Sequence, residues 1–506
     1  MHGMPQPALR AFPSLASSSR SRRLPRNPLQ ADFFVAEAPK RRKFHFPGAC
    51  RLPDGTILVV ARLGKEHVSP SGVLQLVRST DDGATWSEPW TVWDSDHDDR
   101  DPMLSVGPTG TVHLIFFTRP EPQLGDIEAA GVRVMSSDDG GYHWTMPVRL
   151  ESRRRGWMAS HGQVMETPDG VLVAPVYGDG WSGIIRSTDD GASFPASLHH
   201  VFDTGAVATN EVTLTMSGGV LMAWLRPVQE GTPSLLFRSH DDGETWEGPE
   251  RTGIMQSSAS VQPLADGRLL LAWGDRSGRF GERRVTCLGI VEKPLDPWTD
   301  VTPVPVWDAL NNDQGNPALT LTADANPLVI VNDYASRQLV GFTVPLQSVE
   351  DAPVDDDQLA GSLDLLAMAR AGEVTVETSS GCDAPEQRLF DRRLGLGSAL
   401  FAADGQQELR VTLRFRVSVR AKDVGVALRP GEWQDADVEI TTADGSWRTI
   451  GRLDHGWRFG DVDWLSLSPD DDLTAVRVTT RSNPAKRPRY AGDENPTLAI
   501  SQVALR

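Results

Sequence analysis

His45, Arg100 with Asp101, His161, Glu211 and Ser258 each lie eight to ten residues before the glycine of a tight turn. Asn316 holds the corresponding place in a sixth unit. Arg62, Arg119, Tyr177, Arg226 and the pair Asp275–Arg276 follow such a glycine by seven to nine residues, with Asp333 and Tyr334 in the sixth place. These residue types suit proton transfer and anion recognition. Carboxylates and imidazoles exchange protons near neutral pH once their surroundings tune them. Guanidinium groups grip carboxylates through paired hydrogen bonds. A single charged residue at a strand end is as readily a solvated one. Convergence, above all of Glu211, Arg226, His45 and Asp101, therefore counts for more than any one residue, since polar groups meeting at one mouth mark a site. Two loops flank this set. RLGKEHVSPSG (62–72) offers Glu66 and His67, or is only a solvated turn. DSDHDDRDP (94–102) sets five acids beside Arg100, but lacks the glycine and final glutamate of a calcium loop. The site is expected to use no metal and no cofactor.

Two interleaved repeats must position these residues. One is an apolar run, a turn and a second apolar run: CRLPDGTILVVAR (50–62), LSVGPTGTVHLIFF (104–117), VMETPDGVLVAPVY (164–177), LTMSGGVLMAWLR (214–226), VQPLADGRLLLAWG (261–274) and LTLTADANPLVIVND (319–333). Asp-Gly between β-rich apolar runs is a hairpin signal. The other is a phrase: RSTDDGATW (78–86), SSDDGGYHW (136–144), RSTDDGASF (186–194) and RSHDDGETW (238–246). Its serines are spaced 58, 50 and 52 residues apart. Units of about four strands at this period predict a radial β-propeller. Six hairpins predict six blades over 30–350, with ADFFVAE (31–37) as a closing strand. The phrase itself reads as structural. Its Asp and Gly suit a tight turn, and its aromatic residue a plug into the blade.

Bulk properties narrow the function. The chain has 506 residues and a formal net charge of −18. An acidic chain does not suit a nucleic-acid backbone or an anionic membrane. Three distant cysteines without a CxxC pattern suggest neither a disulfide framework nor a zinc site. No apolar run is long enough for a transmembrane helix. Residues 1–29 carry basic charge without a secretory apolar segment and read as a disordered leader. A cytoplasmic protein is expected, or a secreted one if the start codon is misassigned.

The phrases match the Asp-box, and residues 30–350 resemble the sialidase (neuraminidase) superfamily. FHFPGACRLPDGTILVVAR (44–62) is similar to that family's opening blade, HGQVMETPDGVLVAPV (161–176) to its third, and NEVTLTMSGGVLMAWLR (210–226) to its Asn-Glu motif with an arginine one hairpin later. The resemblance implies three arginines on a substrate carboxylate, an aspartate acid/base and a tyrosine–glutamate nucleophilic pair. Glu211 matches the glutamate and Arg226 the second arginine. His45 replaces the first arginine. Arg283 or Arg284 falls near the third. The loop that should carry the aspartate offers only Glu66, and Asn316 stands where the tyrosine should be. The resemblance therefore implies the fold more than the mechanism.

Glycoside hydrolysis uses two carboxylates flanking the scissile bond, and Glu211, Asp101 and Glu66 are the available set. Arg226, Arg100, Arg62, Arg276, His161, His67, Asn316 and Tyr334 are the expected substrate contacts. The expected function is exo-hydrolysis of a terminal acidic sugar from a glycan. One alternative is β-elimination from a uronic acid, with His45 or His161 as base and Tyr334 or Tyr177 as proton donor. Another is a non-catalytic glycan-binding propeller. DAPVDDDQLA (351–360) opens an acidic linker, 351–369. Beyond it EVTVET, ELRVTLRFRVSV, VGVALR, DVEITT, AVRVTT and LAISQVAL predict an antiparallel β-sandwich over 370–506. Their order weakly resembles the galactose-binding (discoidin-like) sandwich, which leaves open a carbohydrate-binding role or a structural one.

Overall fold

The computed structural model describes residues 31–69, 72–120, 130–229, 232–276, 284–299, 301–307, 315–333, 336–351, 359, 361–390, 400–403, 406–428, 434–453, 462–469, 471–483 and 498–506. Strand is their dominant regular structure, with only a few short helices. Six four-stranded antiparallel sheets follow one another between Phe33 and Thr343. Their first strands are Lys43–Arg51, Asp98–Val106, Met165–Glu166, Thr209–Ser217, Gln256–Pro263 and Ala318–Leu321. Five sheets use four consecutive strands. The sixth takes three and is completed by Phe33–Glu37 from near the chain's beginning, which pairs antiparallel with Gln338–Thr343. The expected closing strand is thus present.

Six apolar clusters lie between these sheets, one per junction. Leu58, Val60 and Leu74 of the first sheet meet Leu104 and Leu114 of the second. Ile115 and Val134 meet Ala174 and Ile185; Val173 and Ile184 meet Leu214 and Ala223; Met222 and Trp224 meet Leu271 and Trp273. Leu270 and Leu288 meet Leu319 and Val329. Leu328 and Ile330 of the sixth sheet then meet Ile57 and Val59 of the first. Each strand between two junctions buries both its faces, which explains its near-continuous apolar run. Side chains also stitch neighbouring first strands together. Gln163 Nε2 donates to the Leu214 carbonyl at 3.3 Å, Thr213 Oγ1 to that of Ala259 at 3.2 Å, and Gln262 Nε2 to that of Leu319 at 3.0 Å.

The four repeated phrases form one turn, with the same Ser, Asp and Gly hydrogen bonds; the indole bond is made in the three that end in Trp. In the first, Ser79 Oγ donates to Asp81 Oδ1 at 2.8 Å and accepts from Gly83 N at 2.9 Å. Asp81 accepts from Thr85 N at 2.8 Å. Trp86 Nε1 closes on the Gly83 carbonyl at 3.0 Å. The aromatic residues Trp86, Trp144, Phe194 and Trp246 all pack into the inter-sheet clusters. These aspartates serve the turn, as expected.

The C-terminal strands form a five-stranded and a four-stranded sheet. One apolar cluster takes Leu409, Val411 and Val438 from the first and Val424, Val426 and Val503 from the second. Two short helices, Leu365–Arg370 and Pro385–Leu389, were not expected from the strand-like pattern. No described helix is long and apolar enough to cross a membrane.

Ser239 is 1% exposed and bridges Asp241 and Gly243 N at 2.8 Å each. Ser239→Ala leaves that amide unpaired, and denaturant melts should show a loss of about 1–3 kcal/mol. The box carboxylates also set an acid limit. Hydroxyl and amide donors hold Asp81 and Asp189 below the usual carboxylate range, and Asp241 falls to about 2 although burial opposes the shift. Their stabilising contribution is present above the unfolded value of about 3.9. It is lost as pH falls through the depressed folded values.

Candidate active site

Four of the six first strands carry a β-bulge near their start. Pairing register shifts between His45 and Gly48, Arg100 and Met103, Thr209 and Val212, and Gln256 and Ala259. In each case two residues oppose one. Phe46–Pro47, Asp101–Pro102, Asn210–Glu211 and Ser257–Ser258 are the doubled pairs. Bulges bend a strand and re-aim its side chains. Phe46 and Asp101 take positive φ, 51° and 47°. Such angles are rare outside glycine and concentrate where function requires them. Glu211 therefore lies opposite Arg226, and Arg226 Nη1 donates to Glu211 Oε1.

His161 reaches this pair through a glycine. Gly162 has φ 140°, and a Cβ there would stand 1.9 Å from the carbonyl oxygen of Val212, next to Glu211. Only glycine permits this approach. His161, 3% exposed, sets Nδ1 3.8 Å from Asp101 Oδ2. Burial pulls its pKa down, but the negative charges of Glu211 and Asp101 outweigh that, and the net shift is upward. Asp101 is opposed by the same burial, yet Arg100 and His161 hold it below its usual value. Tyr177 lies in the same field. Burial first, then the charges of Asp101 and Glu211, push its phenol well above 10, so it stays protonated. Glu211 Oε2, Asp101 Oδ1 and Arg226 Nε are buried without a hydrogen-bond partner. Asp101, His161, Tyr177, Glu211 and Arg226 are thus brought together.

Most of the other expected contacts serve the fold. Arg62, wholly buried, donates through Nε to Asp98 Oδ1 at 2.8 Å and also to the carbonyls of Glu66 and Ser69. Gly72 makes room for this pair, since a Cβ there would meet Asp98 Oδ1 at 2.1 Å. Arg100 donates to the His67 carbonyl at 2.6 Å and to Asp98 at 3.2 Å. Asp98 and Asp99 of the acidic loop are buried, the latter bonded by Thr118 and Ser95 N. Among the described residues no group of His, Cys, Asp and Glu could hold a metal. Arg276 donates to the carbonyls of Pro227 and Val228 at 3.2 and 3.1 Å. Glu66 points away: its side chain is 72% exposed and pairs with Lys43 at 3.6 Å. The expected third carboxylate is therefore outside the buried cluster. His67 packs edge-on against Phe46 at 5.0 Å. His45 is fully buried opposite Arg62. Asn316 is half-buried. Tyr334 and Arg283 lie outside the described residues. Tyr177 joins the cluster beyond the expected contacts, and its offset from Gly170 matches that of Arg226 from Gly219.

Residues 91–302 match the BNR repeat-like domain family. That match is to the repeat and covers part of the chain. A Dyadobacter fermentans protein of unknown function is 20% identical, with a TM-score of 0.54, over 62% of this chain and 97% of that one. This likeness supports the fold alone. The intramolecular trans-sialidase of Ruminococcus gnavus is 15% identical at a TM-score of 0.49, covering 64% and 99% of the two chains. Trypanosoma rangeli sialidase is 13% identical at 0.46, covering 94% of each. At those scores neither carries an argument about chemistry. No curated protein matches the sequence.

His161 and His199 should titrate in opposite directions. Burial, with Arg153 and Arg154 adding to it, lowers His199 to about 4. The contribution of His161 is present below the unfolded value of about 6.5 and lost as pH rises through its higher folded value. His199 acts oppositely, costing stability as pH falls below about 6.5. Imidazole NMR titration should place one midpoint above 6.5 and the other near 4; the reverse order would refute the electrostatic picture.

Proposed function

We propose that the six sheets close as a six-bladed β-propeller (30–350). The C-terminal pair forms a β-sandwich (370–506) beyond a linker. The propeller mouth is an exo-acting glycosidase site for a terminal acidic sugar. The observation that carries this reading is the buried group Asp101–His161–Glu211–Arg226, joined from three sheets, with one oxygen on each carboxylate accepting no hydrogen bond, although Arg100 Nη2 stands 3.7 Å from that of Asp101.

The two carboxylates differ from the imidazole in what they can do. Asp101 is held ionised and cannot act as the acid. His161 is shifted toward its protonated form and can. In this reading His161 donates its proton to the departing glycosidic oxygen. Glu211, fixed by Arg226, uses its open Oε2 to take a proton from water as the water oxygen bonds to the anomeric carbon. Glu211 and Asp101 favour the charged form of the imidazole, and Asp101 stands beside its Nδ1. Arg226 Nε remains to meet the sugar's carboxylate. Arg62 and Arg276 act indirectly, by holding loop and strand ends in place.

Tyr177 favours one second reading. A phenol kept protonated beside a histidine is the proton donor that elimination from a uronic acid needs. Hydrolysis adds water to the products and elimination does not, so product mass separates the two.

Glu211→Gln keeps shape and removes the base. Hydrolysis should fall by about 10²–10⁴-fold with substrate affinity retained. Retained turnover would remove Glu211 from the mechanism. The rate of the unaltered protein should decline as pH rises above the ordinary histidine value of about 6.5, and His161→Gln should erase that alkaline limb.

A further inference from the structure

The fifth sheet repeats the geometry of the fourth with neutral residues. Its bulge doubles Ser257 and Ser258 against Gly274, as the fourth doubles Asn210 and Glu211 against Arg226. Ser258 thus stands in the register position of Glu211. Gln256, the residue before the bulge, stands in that of His45 and Arg100. Gln256 is 2% exposed and Ser258 1%. Neither Oε1 nor Nε2 of Gln256 has a hydrogen-bond partner, and neither does Ser258 Oγ. A buried amide without partners destabilises a fold, and buried polar groups are normally satisfied.

These residues adjoin the charged cluster. Thr213 and Ala259, each just past its bulge, are joined at 3.2 Å. Gln256 pairs in register with Asp275. The next residue, Arg276, donates to the carbonyls of Pro227 and Val228, which directly follow Arg226. The two strand ends are therefore tied at the level of Glu211 and Arg226.

We propose that Gln256 and Ser258 form a neutral recognition subsite. It binds the hydroxyl-bearing part of the sugar whose acidic group meets Arg226. An amide offers two donors and an acceptor, and a serine hydroxyl serves as either. That set matches sugar hydroxyls, which also donate and accept. This inference rests on the reading of the mouth as a sugar site.

Gln256→Met keeps the side chain's length and removes its polar atoms. Two readouts apply: thermal melting of the free protein, and NMR titration with N-acetylneuraminic acid and D-glucuronic acid. The Tm should rise, because an unpaired buried amide is gone. Affinity for the sugar that the unaltered protein binds should fall about tenfold. Ser258→Ala should weaken the same sugar and fold normally. A fall in Tm, or unchanged affinity in both variants, overturns the subsite while leaving the glycosidase reading intact. Binding without turnover overturns the glycosidase alone. An unaltered protein that neither binds nor turns over either sugar or its glycosides overturns both.

Discussion

Everything at the buried cluster depends on how closely the backbones of neighbouring sheets approach. A Cβ on Gly48 would meet the Pro102 carbonyl oxygen at 2.7 Å, one on Gly162 that of Val212 at 1.9 Å, and one on Gly274 that of Gly315 at 2.1 Å. These contacts are backbone against backbone, so neither side can yield. Each glycine lies within a few residues of a candidate group: His45 and Asp101, His161 and Glu211, Asp275 and Asn316. Close approach lets side chains from separate sheets meet in one dry place, where charges act on one another strongly. The upward shift of His161 and the open oxygens on Glu211 and Asp101 follow from it.

The sheets were legible because their signals are local. Apolar runs around Asp-Gly turns gave the hairpins. The phrase ending in Trp86, Trp144, Phe194 and Trp246 gave the turn and its plug. Phe33–Glu37 was legible as a closing strand because it is a short β-rich segment without a partner of its own. The bulges were not legible. One extra residue beside Asp101 or Glu211 leaves the apolar pattern of the strand unchanged. The short helices Leu365–Arg370 and Pro385–Leu389 were missed because five or six residues show no helical period.

The same limit applies to the site. Offsets from turn glycines found His161, Glu211, Arg226 and Asp101, since hairpin length fixes where a strand ends. They could not show which arginines were already engaged. Arg62 is enclosed by Asp98 and two carbonyls, and Arg276 by two carbonyls of the fourth sheet. A resemblance that implied three substrate-gripping arginines thus meets a cluster in which, among the described arginines, Arg226 keeps a buried nitrogen without a hydrogen-bond partner. The chemistry has to come from the imidazole and the two carboxylates.

The central claim is that this buried cluster releases a terminal acidic sugar by hydrolysis. The most direct measurement incubates the purified protein with acidic oligosaccharides and aryl glycosides, sialosides included, in isotopically labelled water, and weighs the products. The account predicts a single acidic monosaccharide released from the chain end and carrying one labelled oxygen. An unsaturated sugar without the label, or no product from any substrate, would contradict it.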